Sequence, residues 1–226
     1  MPLSLHPCTA SDLPHAVLTE RNAFASDPFT PILFPGPFPD GTSEFRVQEL
    51  AKQMAEDPTT RWLKVVDTGD GPQEQQAEVA RAQSQGFGIA FAKYNVYVER
   101  RPAKGEKSGR SFGEGCNVEA CELVFGTMAK TRERMLGGQK CLYLANLFAD
   151  PAYGRRGAGG MLIKWGIDEA RKHGLPCYVE STRRGHELYK RYGFRDLEYH
   201  ATDLSKFGAP GPHETWAMVW EAEAEA

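Results

Sequence analysis

The chain has no apolar run approaching the roughly 20 residues that a membrane-spanning helix needs. Its opening residues, MPLSLHPCTASD, contain neither the basic segment nor the apolar segment of a secretory leader. Both absences point to a soluble, cytoplasmic protein with no membrane partner. Excess positive charge is missing too: 27 Lys and Arg stand against 30 Asp and Glu, a formal net charge of −3, so bulk electrostatics give no footing for nucleic acid. Five cysteines, an odd number with no CxxC pair, argue against a disulfide framework and for reduced thiols packed in a core, with no metal expected. There is no repeat period and no compositional boundary. With 41% hydrophobic residues the chain can bury a sizeable core, and a single mixed α/β domain over 1–226 is expected.

What is present centres on residues 142–174, LYLANLFADPAYGRRGAGGMLIKWGIDEARKHG. An apolar run from Leu142 to Ala149 breaks at Asp150-Pro151, passes a basic glycine-rich turn, Gly154 to Gly160, and becomes helical. A helix whose first turn is made of glycines offers bare N–H groups and the positive end of its dipole to an anion. Two familiar phosphate loops fail on spacing. GxxxxGK[ST] is absent, and GxGxxG begun at Gly157 and Gly159 meets Leu162 where its third glycine belongs. Ala158, Leu162, Ile163, Gly166, Ile167 and Ala170 follow helical spacing and are expected to face the sheet.

The remaining elements read as follows. Leu3 to His6 is a strand, and Thr9 or Ser11 caps a helix through Leu13, Val17 and Phe24. Pro28, Pro31, Pro35, Pro37 and Pro39, interleaved with aromatics, exclude a helix interior. That segment reads either as a cover for one edge of the core or as one wall of an acceptor pocket. Thr42 or Ser43 caps a helix that ends before Pro58. Residues 61–67 and 86–98 form a hairpin around a polar tip, 69–85, expected to be mobile. A second mobile loop is expected at 99–115. Asn117 begins a helix closed by Gly137-Gly138. After the central stretch come a strand at 176–181, a short helix at 185–192, and strands at 194–201 and 213–220.

The turn Gly154-Arg155-Arg156-Gly157-Ala158-Gly159 resembles the acyl-coenzyme A signature [QR]-x-x-G-x-[GA] of the Gcn5-related N-acetyltransferases (GNAT), with Gly154 in place of the usual first residue. Downstream, Leu188-Tyr189-Lys190-Arg191-Tyr192-Gly193-Phe194 resembles the family's LYxxxGF element, and the apolar strand 176–181 lies between the two as the family's order requires. The chain further resembles fungal members at Glu119-Ala120-Cys121-Glu122, Trp165-Gly166, Glu180-Ser181 followed by Gly185, and Met218-Val219-Trp220.

The resemblance implies a single-domain GNAT fold: a mixed, mostly antiparallel sheet, strands four and five parallel and splayed, helices on both faces. It implies acetyl-CoA as cosubstrate. Backbone groups of Leu147, Phe148 and Ala149 would pair with pantetheine, amides of Gly154, Arg155, Arg156, Gly157, Ala158, Gly159 and Gly160 would hold the pyrophosphate, and Arg155 or Arg156 would reach the 3′-phosphate. Tyr189 would stand beside the thioester sulfur as an acid for the departing thiolate. The implied reaction is direct attack by a primary amine, of a small molecule rather than a protein tail. A homodimer is compatible with this reading.

The base is harder to place. Where family members carry one on strand four, this chain has Tyr143 and Ala145. Glu180 on strand five is the best candidate, by alternation on the face of Tyr178. Asn146, Glu119, Glu122 and His186 are weaker, and a water relay is a further route. The alternative function is an acyl-CoA-binding or protein-interaction module that keeps the fold without turnover.

Overall fold

A computed structural model describes residues 3–67, 87–99 and 112–222. The expected mobile tip at 69–85 and most of the expected loop at 99–115 lie outside these. Seven strands form one sheet in the order β1-β2-β3-β4-β5-β7-β6: β1 (Leu3–Pro7), β2 (Thr60–Asp67), β3 (Gly88–Tyr97), β4 (Cys141–Ala149), β5 (Cys177–Thr182), β6 (Arg195–Thr202) and β7 (His213–Trp220). Every neighbouring pair is antiparallel except β4 and β5. Those two run parallel, as the helical crossover between them, Ala158–His173, requires.

The helices are α1 (Leu13–Phe24), α2 (Thr30–Leu33), α3 (Thr42–Glu56), α4 (Val118–Cys121), α5 (Thr127–Leu136), α6 (Ala158–His173) and α7 (Arg183–Arg191), with a π turn at Glu122–Gly126 joining α4 to α5. On one face of the sheet, α6 and α7 close the main cluster, in which Leu162, Ile163, Ile167, Ala170 and Tyr189 meet Leu142, Leu144, Cys177 and Val179. The opposite face carries α1 and α3 over Trp62, Phe91 and Phe148, and α5 over Tyr178 and Ala217. Strands buried on both sides read as continuous apolar runs, as β3 does in GIAFAKYNVY.

The expected sheet-facing stripe of α6 is buried at all six positions. Tyr94 explains its glycine. The buried phenol packs against Gly166, where a Cβ would collide with the ring, and its hydroxyl donates to the Leu162 carbonyl (3.1 Å). Asn117 caps α4 through Oδ1, which accepts from the Ala120 N–H (3.2 Å).

Local differences from the sequence expectations have local causes. The α3 cap is Gly41, whose φ of 78° a glycine adopts without cost, and Thr42 is already helical. α7 starts at Arg183, two residues early, after Thr182 in extended conformation. The proline segment contains the one-turn helix α2, with Pro31 in its first turn, where no N–H is needed. Leu33 from that segment is buried with Ala120, Cys121, Val124 and Leu204 in a cluster of its own.

Candidate active site

β4 and β5 pair only at Leu142↔Cys177, Tyr143↔Tyr178 and Leu144↔Val179. Beyond these, residues 146–149 of β4 keep β3 on one edge but have no ladder with β5 on the other. A register shift contributes. Asn146 faces Lys93 and Leu144 faces Tyr94, which leaves Ala145 as an extra residue. A bulge of this kind bends its strand and increases the local twist. The sequence reading did not find it, since neither glycine nor proline marks the spot.

One end of this gap leads to the glycine turn. The first bond inside α6 runs from the Met161 N–H to the Gly157 carbonyl (3.1 Å), so the N–H groups of Ala158, Gly159 and Gly160 precede the helical ladder. Arg155 holds a left-handed backbone, φ 60°, and Gly157 another, φ 92°. The non-glycine case carries strain of the kind that gathers at ligand sites. Gly160 has a steric reason as well, because a Cβ there would run into the Tyr192 hydroxyl.

The two arginines of the turn part company. Arg155 is exposed. Arg156 folds back to Asp67 at the end of β2 (2.6 Å) and lies over Tyr153. Its Nη2 is buried and has no hydrogen-bond partner. An unsatisfied guanidinium nitrogen from the same turn as bare helix N–H groups fits an anionic group.

Tyr189 is buried, edge-on to Phe194 at 5.5 Å. Burial, and secondarily Cys177, push its phenol above the usual range, so it stays protonated and can act only as an acid near neutrality.

Glu180 sits where the two strands part. Its Oε2 accepts from Arg132 (2.5 Å) and from the Tyr143 hydroxyl (3.0 Å), and Oε1 accepts from Tyr178 (3.4 Å). Arg132 also donates to the Tyr143 oxygen (2.7 Å). Burial works against the charge on Arg132, and Tyr143 and Glu180 outweigh it. Three donors thus converge on the two carboxylate oxygens of this expected base. Sequence alternation identified its face but not Arg132, which lies 48 residues away in the chain.

The weaker candidates are dispersed. Asn146 donates to Glu20 on α1 (2.8 Å), which also takes Arg46. Glu119 pairs with Lys206, Glu122 is exposed on the π turn, and His186 pairs with Asp196 (2.7 Å) while stacking on Trp216.

Past the outer end of β5 lies a cleft of about 360 Å³. Its walls come from the α1–α2 connection at Asp27 and Phe29, from Thr182 to Arg184, and from the β6–β7 connection at Pro210 to Glu214. The proline segment thus lines the cleft through Pro28 and Phe29 while its remainder packs in its own cluster. The expected cover of the core is Leu33 with its cluster, and the other expectation meets a cleft wall at Pro28 and Phe29. His213 is a residue that sequence reasoning passed over, although the Pro-Gly-Pro turn before it marks the start of β7.

Residues 113–194 match the family model described as Acetyltransferase (GNAT) family. That stretch of the chain is similar to the GNAT family. Over 84 residues, 37% of its length, it is 32% identical to a protein named Probable acyltransferase SID5 from the fungus Ajellomyces capsulatus, and the match spans 56% of that protein. The GNAT fold extends over nearly the whole chain. A polyamine N-acetyltransferase of Drosophila melanogaster, an enzyme that catalyses the formation of N-acetylagmatine, superposes with a TM-score of 0.62 at 13% identity, covering 97% of this chain and all of that one. Arabidopsis thaliana NAA60 in complex with acetyl-CoA gives 0.54 at 17% identity, covering 99% and 100%. At such identities these two likenesses speak to the fold alone.

Proposed function

We propose that this GNAT domain transfers an acetyl group from acetyl-CoA to the primary amine of a small molecule. The observation that carries the reading is the gap between β4 and β5. It opens at Leu144 and Val179; the glycine turn follows directly on β4, and the cleft begins at Thr182, where β5 ends. The names of the relatives, an acyltransferase and an amine N-acetyltransferase, point the same way.

When bound, acetyl-CoA supplies an activated carbonyl and a thiolate leaving group. The chain's own groups divide the remaining work. The free edge of β4 at Leu147, Phe148 and Ala149 offers strand-type pairing to an extended amide chain. Backbone groups from Gly154 to Gly160 hold the pyrophosphate, with the unpaired Nη2 of Arg156 beside them and exposed Arg155 for a further phosphate. Tyr189 protonates the sulfur. Glu180 with Arg132 and Tyr143 fixes the strand separation. The cleft takes the amine; its volume lies at the lower end of the range for small-molecule sites, about 300–1,000 Å³. All five cysteines are free, which suits work in the reducing cytoplasm.

Thiol release over an amine panel, run beside thermal unfolding with acetyl-CoA, tests the reading. Expected are a rise in melting temperature, corresponding to about 2.7 kcal/mol at a hundredfold excess over Kd, and amine-dependent thiol release. No shift at millimolar acetyl-CoA defeats it. A shift without release for any amine leaves a binding module in its place.

A further inference from the structure

The acceptor enters as an ammonium, and a lone pair must be freed before nitrogen can attack. Of the groups lining the cleft, most of the charged ones are committed. Glu214 takes Arg183 (2.7 Å) and the Tyr199 hydroxyl (2.8 Å). Arg184 donates to the Ala23 carbonyl (3.2 Å) and reaches Ser26 Oγ (3.5 Å), which ties the start of α7 to the end of α1. Asp27 is held by the Phe29 N–H on Oδ1 (2.9 Å).

His213 differs from these. Its ring stands edge-on to Phe29, centroids 4.8 Å apart, at the first residue of β7 and on the wall of the cleft. Its Nδ1 is buried with no partner from another residue, and its own backbone offers the ring a hydrogen bond, so a ligand in the cleft meets the imidazole only at Nε2. An imidazole set edge-on to a phenyl ring on a cleft wall, with a carboxylate nearby, is an arrangement that packing alone does not require.

Resting on the transferase reading above, we propose that His213 is the proton acceptor for the incoming ammonium and that Asp27 draws the cation into the cleft. Burial keeps His213 below the usual histidine range, with Asp27 pulling the other way, so the ring is neutral and ready at pH 7. The groups around it are Asp27 on the α1–α2 connection, Arg183 and Arg184 at the start of α7, and Glu214 beside it on β7. Arg183 and Glu214 neutralise each other, which leaves Asp27 as the nearby charge that favours a cation.

The ammonium nitrogen gives up two protons in all. The first passes to His213 and frees the lone pair. As the C–N bond forms, the C–S electron pair leaves on sulfur, and the second proton ends there by way of Tyr189. His213 then returns its proton to solvent. The sum is amide, free thiol and one proton released.

The test uses the full chain and two amines that the wild type acetylates: an alkylamine, cationic at assay pH, and an arylamine, already neutral. His213→Gln is expected to lower kcat for the alkylamine about a hundredfold, to leave the acetyl-CoA melting shift unchanged, and to lose far less with the arylamine. Added imidazole is expected to restore part of the turnover of His213→Ala. Asp27→Asn is expected to raise KM for the alkylamine more than tenfold with kcat near wild type. Equal losses for both amines, with no imidazole rescue, overturn the proposal and make His213 a packing residue. Full alkylamine turnover in His213→Gln overturns it as well, while the transferase reading stands. Absence of thiol release by the wild type overturns both.

Discussion

The Tyr143 hydroxyl donates to Glu180 across the last paired rungs of β4 and β5, at 3.0 Å. Backbone pairing ends one residue further on, so a side-chain bond takes over where the ladder stops. Arg132 closes the triangle from α5. The separation of the two strands is therefore set by a buried polar network on the face away from α6.

Cutting this network is costly. Glu180→Ala strands a mostly buried Arg132 and is expected to lower stability by about 2–4 kcal/mol, under the value for a fully buried pair because Arg132 keeps some exposure. Tyr143→Phe removes one bond and is expected to cost about 1 kcal/mol. Urea unfolding gives both numbers. If Glu180→Ala unfolds at the wild-type urea concentration, the network is not holding the strands.

Tyr189→Phe separates acid catalysis from binding. The expected result is a fall in kcat of tenfold or more with acetyl-CoA affinity unchanged. Because burial raises the phenol pKa, the group stays protonated as pH climbs, so no alkaline loss of rate assignable to Tyr189 should appear below about pH 10. A wild-type alkaline limb near pH 8 that vanishes in Tyr189→Phe would contradict this.

Gly160→Ala tests the glycine turn by contact. The new methyl meets the Tyr192 hydroxyl, and overpacking of this kind costs about 1–3 kcal/mol. Tyr192→Phe in the same chain relieves the worst of the clash and is expected to recover much of the loss. Calorimetric melts of the two single variants and the double one form the cycle; additive losses would show that the two residues do not touch.

The fold has an acid-sensitive point at Asp12, which holds the fully buried Lys64 at 2.7 Å. Burial raises the Asp12 pKa, but hydrogen bonds from Lys64 and Thr9 and the charge of Lys64 outweigh it, and the carboxyl ends below its ordinary value. The pair's contribution is complete above the unfolded carboxyl pKa, about 3.9, and is lost as pH falls through the lower folded value. Asp12→Asn is expected to lower stability at pH 7 and to flatten the fall in stability below pH 4. An unchanged acid profile would sink this account.

Much of the fold was legible because its signals are local. The strand–turn–helix at 142–174, the sheet-facing stripe of α6 and the Asn117 cap each lie within a few residues of chain, where periodicity and side-chain chemistry act directly. The glycine turn that opens α6 was legible for the same reason. Arg132, the Ala145 bulge and the cleft at His213 were not, because each depends on what a distant segment brings to it. Arg132 needs Glu180, the bulge is defined only against β3, and His213 gains its setting from Phe29 and Asp27 at the far end of the chain. Glu180 marks the boundary: alternation gave its face, and tertiary contact gave its occupation.

The small cluster that holds Leu33, Val124 and Leu204 has one more implication. It backs the wall of the cleft, whereas the glycine turn rests on the central cluster beneath α6. The two layers share no buried residue. Substitutions that reshape one can accumulate without disturbing the other, so under the proposed function descendants of this chain could exchange acceptors repeatedly under a constant grip on the donor. Variation engineered into 28–39 and 203–213 is the economical place to look for new acceptors.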